Sequence, residues 1–300
     1  MSAVQITGIY IFLYSRSMDK EYRSLKNPEE PFFAGVLDAE TLGEILQNPQ
    51  SDLSKMVAQC SALEIRYDLL LAAGYPKESL GGIAGRIRSA FPDALLIGTF
   101  RLERDGGKFP DARAMERAEY ICDILTSDVF PDYLDIETEE FVRLEGRIFE
   151  IWNDERVCEK RKGFWTMRNG HRFYQRDFPV FDNLPKKVLI SHHDFQKVPT
   201  LDELESLRKC AIGAECAGLK IACMSHSPGD FDRIYPWISS ACDFELFSCF
   251  AMGKSGEESR VKSLLFGANL TYCSLGASVA PGQIPVEDAR NAYRKLVPNG

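Results

Sequence analysis

Eight short apolar runs punctuate this chain, and amphipathic stretches fill the gaps between them. The runs are QITGIYIFLY, SALEIRYDLL, ALLIGTF, DYLDIE, KVLISHH, LKIACM, FELFSCFAM and NLTYCSL. A strand packed on both faces reads as a nearly unbroken apolar run. Helical patterns are expected over 38–48, 77–91, 111–127, 201–216, 228–239, 256–266 and 285–296. Alternating strands and helices build βα units on a parallel sheet. Eight strands favour closure over an open sheet. The expected fold is therefore α/β, a single (β/α)8 (TIM) barrel over residues 1–300. Such barrels typically hold about 250 residues, and more with insertions.

The first run, IYIFLY, is far too short to cross a bilayer and lacks the basic flank of a secretory leader. It is expected to be the first buried strand. Two connections are long: 15–57 between the first and second strands, and 138–186 between the fourth and fifth. The second contains ERVCEKRKGFWTMRNGHRFYQRDF, basic and aromatic in a chain whose formal charge is -8. A connection of that length is usually functional or an added subdomain. It reads as a surface hairpin or helix on the barrel, or as a subunit contact or lid.

The acidic balance argues against general nucleic-acid binding but allows a locally positive pocket for an anion. The nine cysteines form no C-x-x-C pair and no zinc-ligand spacing. Reduced thiols in a cytoplasm are expected. The N-x-T triplet at Asn269 then has no glycosylation role.

Charged residues inside the apolar runs mark the chemistry. Side chains i and i+2 share a strand face, and barrel catalysis sits at the C-terminal strand ends. Glu64 and Arg66 share a face, which is either the interior or the helix-facing side. Arg101 ends the third run, and Asp135 and Glu137 share a face on the fourth. Lys220 has apolar neighbours on both sides. It is either a snorkelling strand-end lysine or a desolvated, nucleophilic amine. His192 and His193 end the fifth run, where an imidazole suits proton transfer or a structural hydrogen bond; His171 and His226 read as structural. Arg260 falls near the start of the seventh helix, a position suited to holding a carboxylate. The GKS string is no phosphate loop, because Ser248 stands where the first glycine belongs. Gln283, in the APGQ loop, offers both a donor and an acceptor.

In order along the chain, LEIRYD, TFR followed by GG, YLDIE, ISHHDF, LKIACM, MGKSGEESR, FGANLTY and APGQ resemble the type I 3-dehydroquinate dehydratases. The resemblance implies a (β/α)8 barrel and a lyase that dehydrates 3-dehydroquinate to 3-dehydroshikimate, in aromatic biosynthesis or quinate use, with no cofactor or metal. It implies Lys220 as the Schiff-base lysine and His193 as the proton carrier, and Asp105 as a further catalytic residue, standing before Gly-Gly where the family usually has glutamate. Glu64, Arg66 and Arg101 are implied around the ring, Arg260 on the substrate carboxylate and Gln283 on a substrate hydroxyl. It further implies a cytoplasmic homodimer with no nucleic-acid or membrane partner. Val279 stands where the family usually has serine. That departure and Asp105 leave open a related lysine-dependent lyase or aldolase acting on another keto acid, or a non-catalytic binder.

Overall fold

The computed structural model describes residues 30–153, 184–241, 243–276 and 282–297, and the backbone of four short strands at 3–6, 9–12, 164–168 and 171–175. Val279 lies outside the described residues.

Eight strands form one parallel sheet. They are β1 (Phe32–Leu37), β2 (Ala62–Arg66), β3 (Leu95–Thr99), β4 (Tyr133–Glu137), β5 (Val188–Asp194), β6 (Gly218–Met224), β7 (Leu246–Met252) and β8 (Leu270–Cys273). Each pairs with its chain neighbour, and β8 pairs with β1. The remaining seam, between β7 and β8, is joined by Asn269. Its backbone N–H donates to Phe247 O (2.9 Å), its Oδ1 accepts from Phe247 N (2.7 Å), and its Nδ2 donates to Glu245 O (2.8 Å). Asn269 thus replaces part of a strand ladder at the closing edge of a nearly closed barrel.

The period-2 alternation of the strands divides the apolar residues into two cores. Outward-facing Leu63, Ile65, Leu96, Leu134, Ile136, Ile190, Leu219, Ile221 and Phe247 pack in one cluster with the helices. Inward-facing Ala34, Val36, Ala62, Ile97, Tyr133, Leu189, Leu246 and Leu270 fill the barrel. This apolar plug supports the polar end of the barrel from below.

Helices follow the strands close to where their periodicity puts them, as at Ala39–Gln47, Leu201–Gly213, Ser259–Leu265 and Val286–Leu296. Asp38 caps the first by accepting from Thr41 N at 2.9 Å. Thr200 and Glu203 form a reciprocal capping box on the second. No helix among the described residues is long and apolar enough to cross a membrane. The described cysteines are free thiols.

One expectation is overturned. The N-terminal run is not the first barrel strand: Ala3–Ile6 and Ile9–Phe12 pair with each other in a separate antiparallel hairpin. The first barrel strand is Phe32–Leu37, inside what reads as a long connection. Gly35 weakens its strand signal, and the packing around it is close. A Cβ there would sit 2.7 Å from Cys60 Sγ and 2.8 Å from Leu275 Cδ1, so a larger residue would make those side chains shift. The 138–186 connection contains a helix, Phe141–Asn153, and an antiparallel pair, Phe164–Arg168 with His171–Gln175.

Candidate active site

Of the charged residues embedded in the strands, Glu64, Arg66, Asp135, Glu137 and Lys220 face inward, while Asp194 follows Val188 and Ile190 on the outward side of β5. Glu64, Arg66, Arg101, Asp105, His193, Lys220, Arg260 and Gln283 line one pocket at the C-terminal end of the barrel. The eight residues given site roles from the sequence therefore converge there; Asp135, Glu137 and His192 are not among its lining residues. Phe195, Phe250, Met252 and Tyr272 supply its apolar walls.

Lys220 is on β6, in register with Ser191 of β5 and Ser248 of β7. It is only 5% exposed, so it does not snorkel. Its Nζ donates to Asp135 Oδ2 at 2.9 Å and lies 3.6 Å from Glu64 Oε1. The Tyr272 ring covers it, with Nζ 3.9 Å from the centroid. Two carboxylates and an aromatic face thus surround one cation, an arrangement that makes a buried charge tolerable. Thr99 Oγ1 donates to Glu64 Oε1 at 2.9 Å and fixes that carboxylate in turn.

Asp135 is held by several groups. Arg101 Nη2 lies 2.6 Å from its Oδ1, and Ser191 Oγ donates to the same oxygen at 2.6 Å. Burial alone would raise its pKa, but the charges of Arg101 and Lys220 override that and keep it well below the usual carboxylate range. Arg101 also donates through Nη1 to Glu137 Oε1 (3.0 Å) and Ser191 Oγ (2.9 Å). Asp135 and Tyr272 touch the Lys220 amine without having been assigned a role from the sequence. The i, i+2 spacing in YLDIE was the available signal for Asp135; nothing local marks Tyr272.

His193 lies two residues beyond Ser191 on the same β5 face, in register with Ala222. Burial, reinforced by the positive charges of Arg101 and Lys220, drives its pKa well below the ordinary imidazole value. Its Nδ1 lies 3.8 Å from Asp105 Oδ1, beyond hydrogen-bond reach. Asp105 is presented by the loop after β3. There Gly107 is obligatory, because a Cβ would stand 2.0 Å from Arg101 O. Burial, with the charge of Glu137 adding, pushes the Asp105 carboxyl up to about 6.

A raised acid costs stability once it ionises, since the unfolded chain releases the proton more readily. Stability therefore falls as pH rises from near the ordinary carboxylate value of about 4 to about 6. Asp105→Asn is expected to stabilise the protein at pH 7, by on the order of 1 kcal/mol after allowing for solvent screening. The gain should vanish near pH 4, where both states are protonated. Urea melts at the two pH values check this, and equal effects at both would reject it.

Arg66 is clamped by Asp68, with Nε to Oδ1 at 2.8 Å and Nη2 to Oδ2 at 2.7 Å, so the pocket meets an oriented guanidinium. Arg260 opens helix Ser259–Leu265 and is only 2% exposed. Ser259 anchors that helix to β7: its Oγ accepts from Ala251 N at 2.7 Å and donates to Gly256 O at 2.5 Å. The Arg260 Cζ sits 4.2 Å over the Phe250 ring, and burial pushes its guanidinium down to about 10. A desolvated arginine at the rim of an apolar wall suits an incoming carboxylate. Of the two histidines taken as structural, His226 is solvent-exposed and its Nε2 lies 2.7 Å from Gln196 O; the His171 side chain lies outside the described residues.

Comparison with known proteins places the chain in a family. A family model described as Type I 3-dehydroquinase matches residues 40–152 and 181–298. The match breaks off within the long connection between β4 and β5. The 3-dehydroquinate dehydratase of Methanosarcina acetivorans is 29% identical over 266 residues, which covers 86% of this chain and 95% of that protein. That of Lactiplantibacillus plantarum is 26% identical over 272 residues, 89% of this chain and 92% of the relative. In fold, the chain is similar to the crystal structure of the Geobacillus kaustophilus 3-dehydroquinate dehydratase, with a TM-score of 0.66 at 22% identity over 98% of this chain and 96% of that one. It is also similar to the Clostridium difficile type I enzyme solved with covalently modified comenic acid, with a TM-score of 0.64 at 18% identity over 98% and 97% of the two chains. Since the family match runs from the helix after β1 to the end of the last helix, and takes in the strands that carry this pocket, the chain belongs to the type I 3-dehydroquinase family.

Proposed function

We propose that this protein dehydrates 3-dehydroquinate to 3-dehydroshikimate through a Schiff base on Lys220. The observation that carries the reading is a buried amine, 2.9 Å from Asp135, in the same pocket as a neutral imidazole and a desolvated arginine. Lys220 attacks the ring ketone; the ketone oxygen takes up two hydrogens of the ammonium and leaves as water, and a cationic iminium remains. That cation takes over the place of the ammonium between Asp135 and Glu64, so the carboxylates that hold the lysine also stabilise the intermediate. The iminium withdraws electrons from the neighbouring carbon. His193 removes a proton from that carbon and passes it to the departing hydroxyl, which leaves as water. A second water then hydrolyses the conjugated iminium and frees the amine.

Arg260 pairs with the substrate carboxylate, and Arg66 and Gln283 hold ring hydroxyls, which fixes the reacting carbon beneath His193. Asp105 orients His193. With aspartate in place of the family's usual glutamate, the 3.8 Å separation supports a looser hold on the imidazole. All the catalytic groups are side chains of this chain. On the same reading residues 1–300 act as one barrel domain carrying 138–186 as an appended connection, in a cytoplasmic homodimer.

Incubating the protein with 3-dehydroquinate and borohydride, then mapping peptides, tests the reading. The expected result is a reduced adduct on Lys220, with enone product in the untreated reaction. Trapping only with a different ketone would reassign the substrate, and no adduct with any ketone would leave a non-catalytic binder.

A further inference from the structure

We propose that Arg117, which lies outside the pocket lining, is a positioning residue that sets how readily the Lys220 amine loses its proton. The inference rests on Lys220 being the reacting amine and deepens that reading.

Arg117 is the first residue of helix Arg117–Leu125 and is 1% exposed. Its Nε donates to Ala114 O and its Nη1 to Phe100 O, each at 3.0 Å. The same Nη1 donates to Glu137 Oε2 at 2.5 Å. The other oxygen of Glu137 accepts from Arg101 Nη1 at 3.0 Å and from Leu102 N at 3.3 Å. Arg101 in turn lies 2.6 Å from Asp135, which accepts from Lys220. Arg117, Glu137, Arg101, Asp135 and Lys220 therefore form one buried chain of alternating charge. It runs from a helix outside the barrel to the reacting amine.

Each carboxylate in this chain is shared by two cations. Without Arg117, Glu137 has Arg101 as the one cation left to it in the chain and draws it closer. Asp135 then loses part of its hold on Arg101 and turns more fully to Lys220. A more exclusive carboxylate keeps the lysine protonated, and so unreactive, to higher pH. The other titratable and charged groups at this end of the barrel are Glu64 beside Lys220, Arg66 acting on Glu64 and Arg101, His193 acting on Asp135, Asp105 and Arg260 in the pocket wall, and Arg104, Glu139 and His192 around Asp105 and His193. None of them changes in the test.

The experiment reads Lys220 directly and needs no substrate. The full-length protein is labelled with carbon-13 formaldehyde and cyanoborohydride across a range of about pH 6 to 10, and Lys220 is followed by peptide mapping. Arg117→Gln is expected to move the labelling curve of Lys220 up by about one pH unit, slowing labelling near pH 8 by roughly tenfold. Arg117→Lys, which keeps the charge, should stay within about twofold of the wild type. Glu137→Gln should move the curve the opposite way, because Arg101 is then left to Asp135. Arg117→Gln in that background should add no more than about twofold. An unmoved curve in Arg117→Gln, or the same added slowing with and without Glu137, overturns the proposal. If Arg117→Gln does not fold, Glu137→Gln alone decides: a curve that stays or moves up overturns it. Wild-type protein that labels on Lys220 yet turns over no 3-dehydroquinate would reject the proposed activity, while the labelling comparison still judges Arg117.

Discussion

Lys220→Met is expected to abolish borohydride trapping and to lower turnover of 3-dehydroquinate by at least roughly 10⁴-fold. Among the described residues lining the pocket no other amine is placed to replace it: the cations around it are Arg66, Arg101 and Arg260, whose guanidinium groups do not form imines at neutral pH. The substitution also bears on stability. Breaking a buried ion pair by removing one partner typically costs about 3–5 kcal/mol, because the other charge is left unpaired. Here Asp135 keeps Arg101 at 2.6 Å and Ser191 at 2.6 Å, so the cost should fall at or below the low end of that range. Methionine also fills the space under the Tyr272 ring with apolar contact. The variant should therefore fold, with a native circular dichroism spectrum and a single thermal transition, while forming no adduct. Adduct on another residue, or turnover within about tenfold of the wild type, would reject Lys220 as the nucleophile.

His193→Ala should leave the first step and stop the second. Imine formation depends on the amine and the ketone, whereas the loss of the ring hydroxyl depends on a base that takes a proton and gives it back. A positioned acid–base group contributes about 10²–10⁴-fold, and that is the expected fall in turnover. Because the imine still forms, the Lys220 adduct should be trapped by borohydride with the ring hydroxyl still in place. In the wild type a share of the trapped adduct should have lost water. The variant removes a buried neutral ring, so it creates a cavity but leaves no unpaired charge. Trapped adduct that has already lost water, at the wild-type proportion, would assign the proton transfer elsewhere.

These two variants separate nucleophile from base because the barrel holds the two groups on different strands. Lys220 projects from β6 and His193 from β5, one step apart along the face they share. Neither substitution needs to disturb the other strand. Arg260 is independent of both, since it belongs to a helix anchored to β7 through Ser259.

Much of this arrangement is legible in the order of residues alone. Alternation of apolar runs with amphipathic stretches placed seven of the eight barrel strands, because burial on both faces leaves a local imprint on the residues that undergo it. Charged residues at i and i+2 within those runs marked shared strand faces, because the strand repeat is two, but left open which face was the interior. Lys220 was visible as a lysine that an apolar strand would otherwise exclude. The first strand was not legible: Gly35 breaks its pattern, and Cys60 and Leu275, which approach it closely, are distant in sequence. What the tertiary structure alone decided is which charge meets which. Period two says that Glu64 shares a face with Arg66 and Asp135 with Glu137; that these, Arg101 and Lys220 face inward, and which partners they meet, depends on strand stagger and on closure across the Asn269 seam, which no single segment carries. Coulomb pairing acts between atoms a few ångströms apart in space, so a chain of charges running from Arg117 to Lys220 exists only once the barrel has closed.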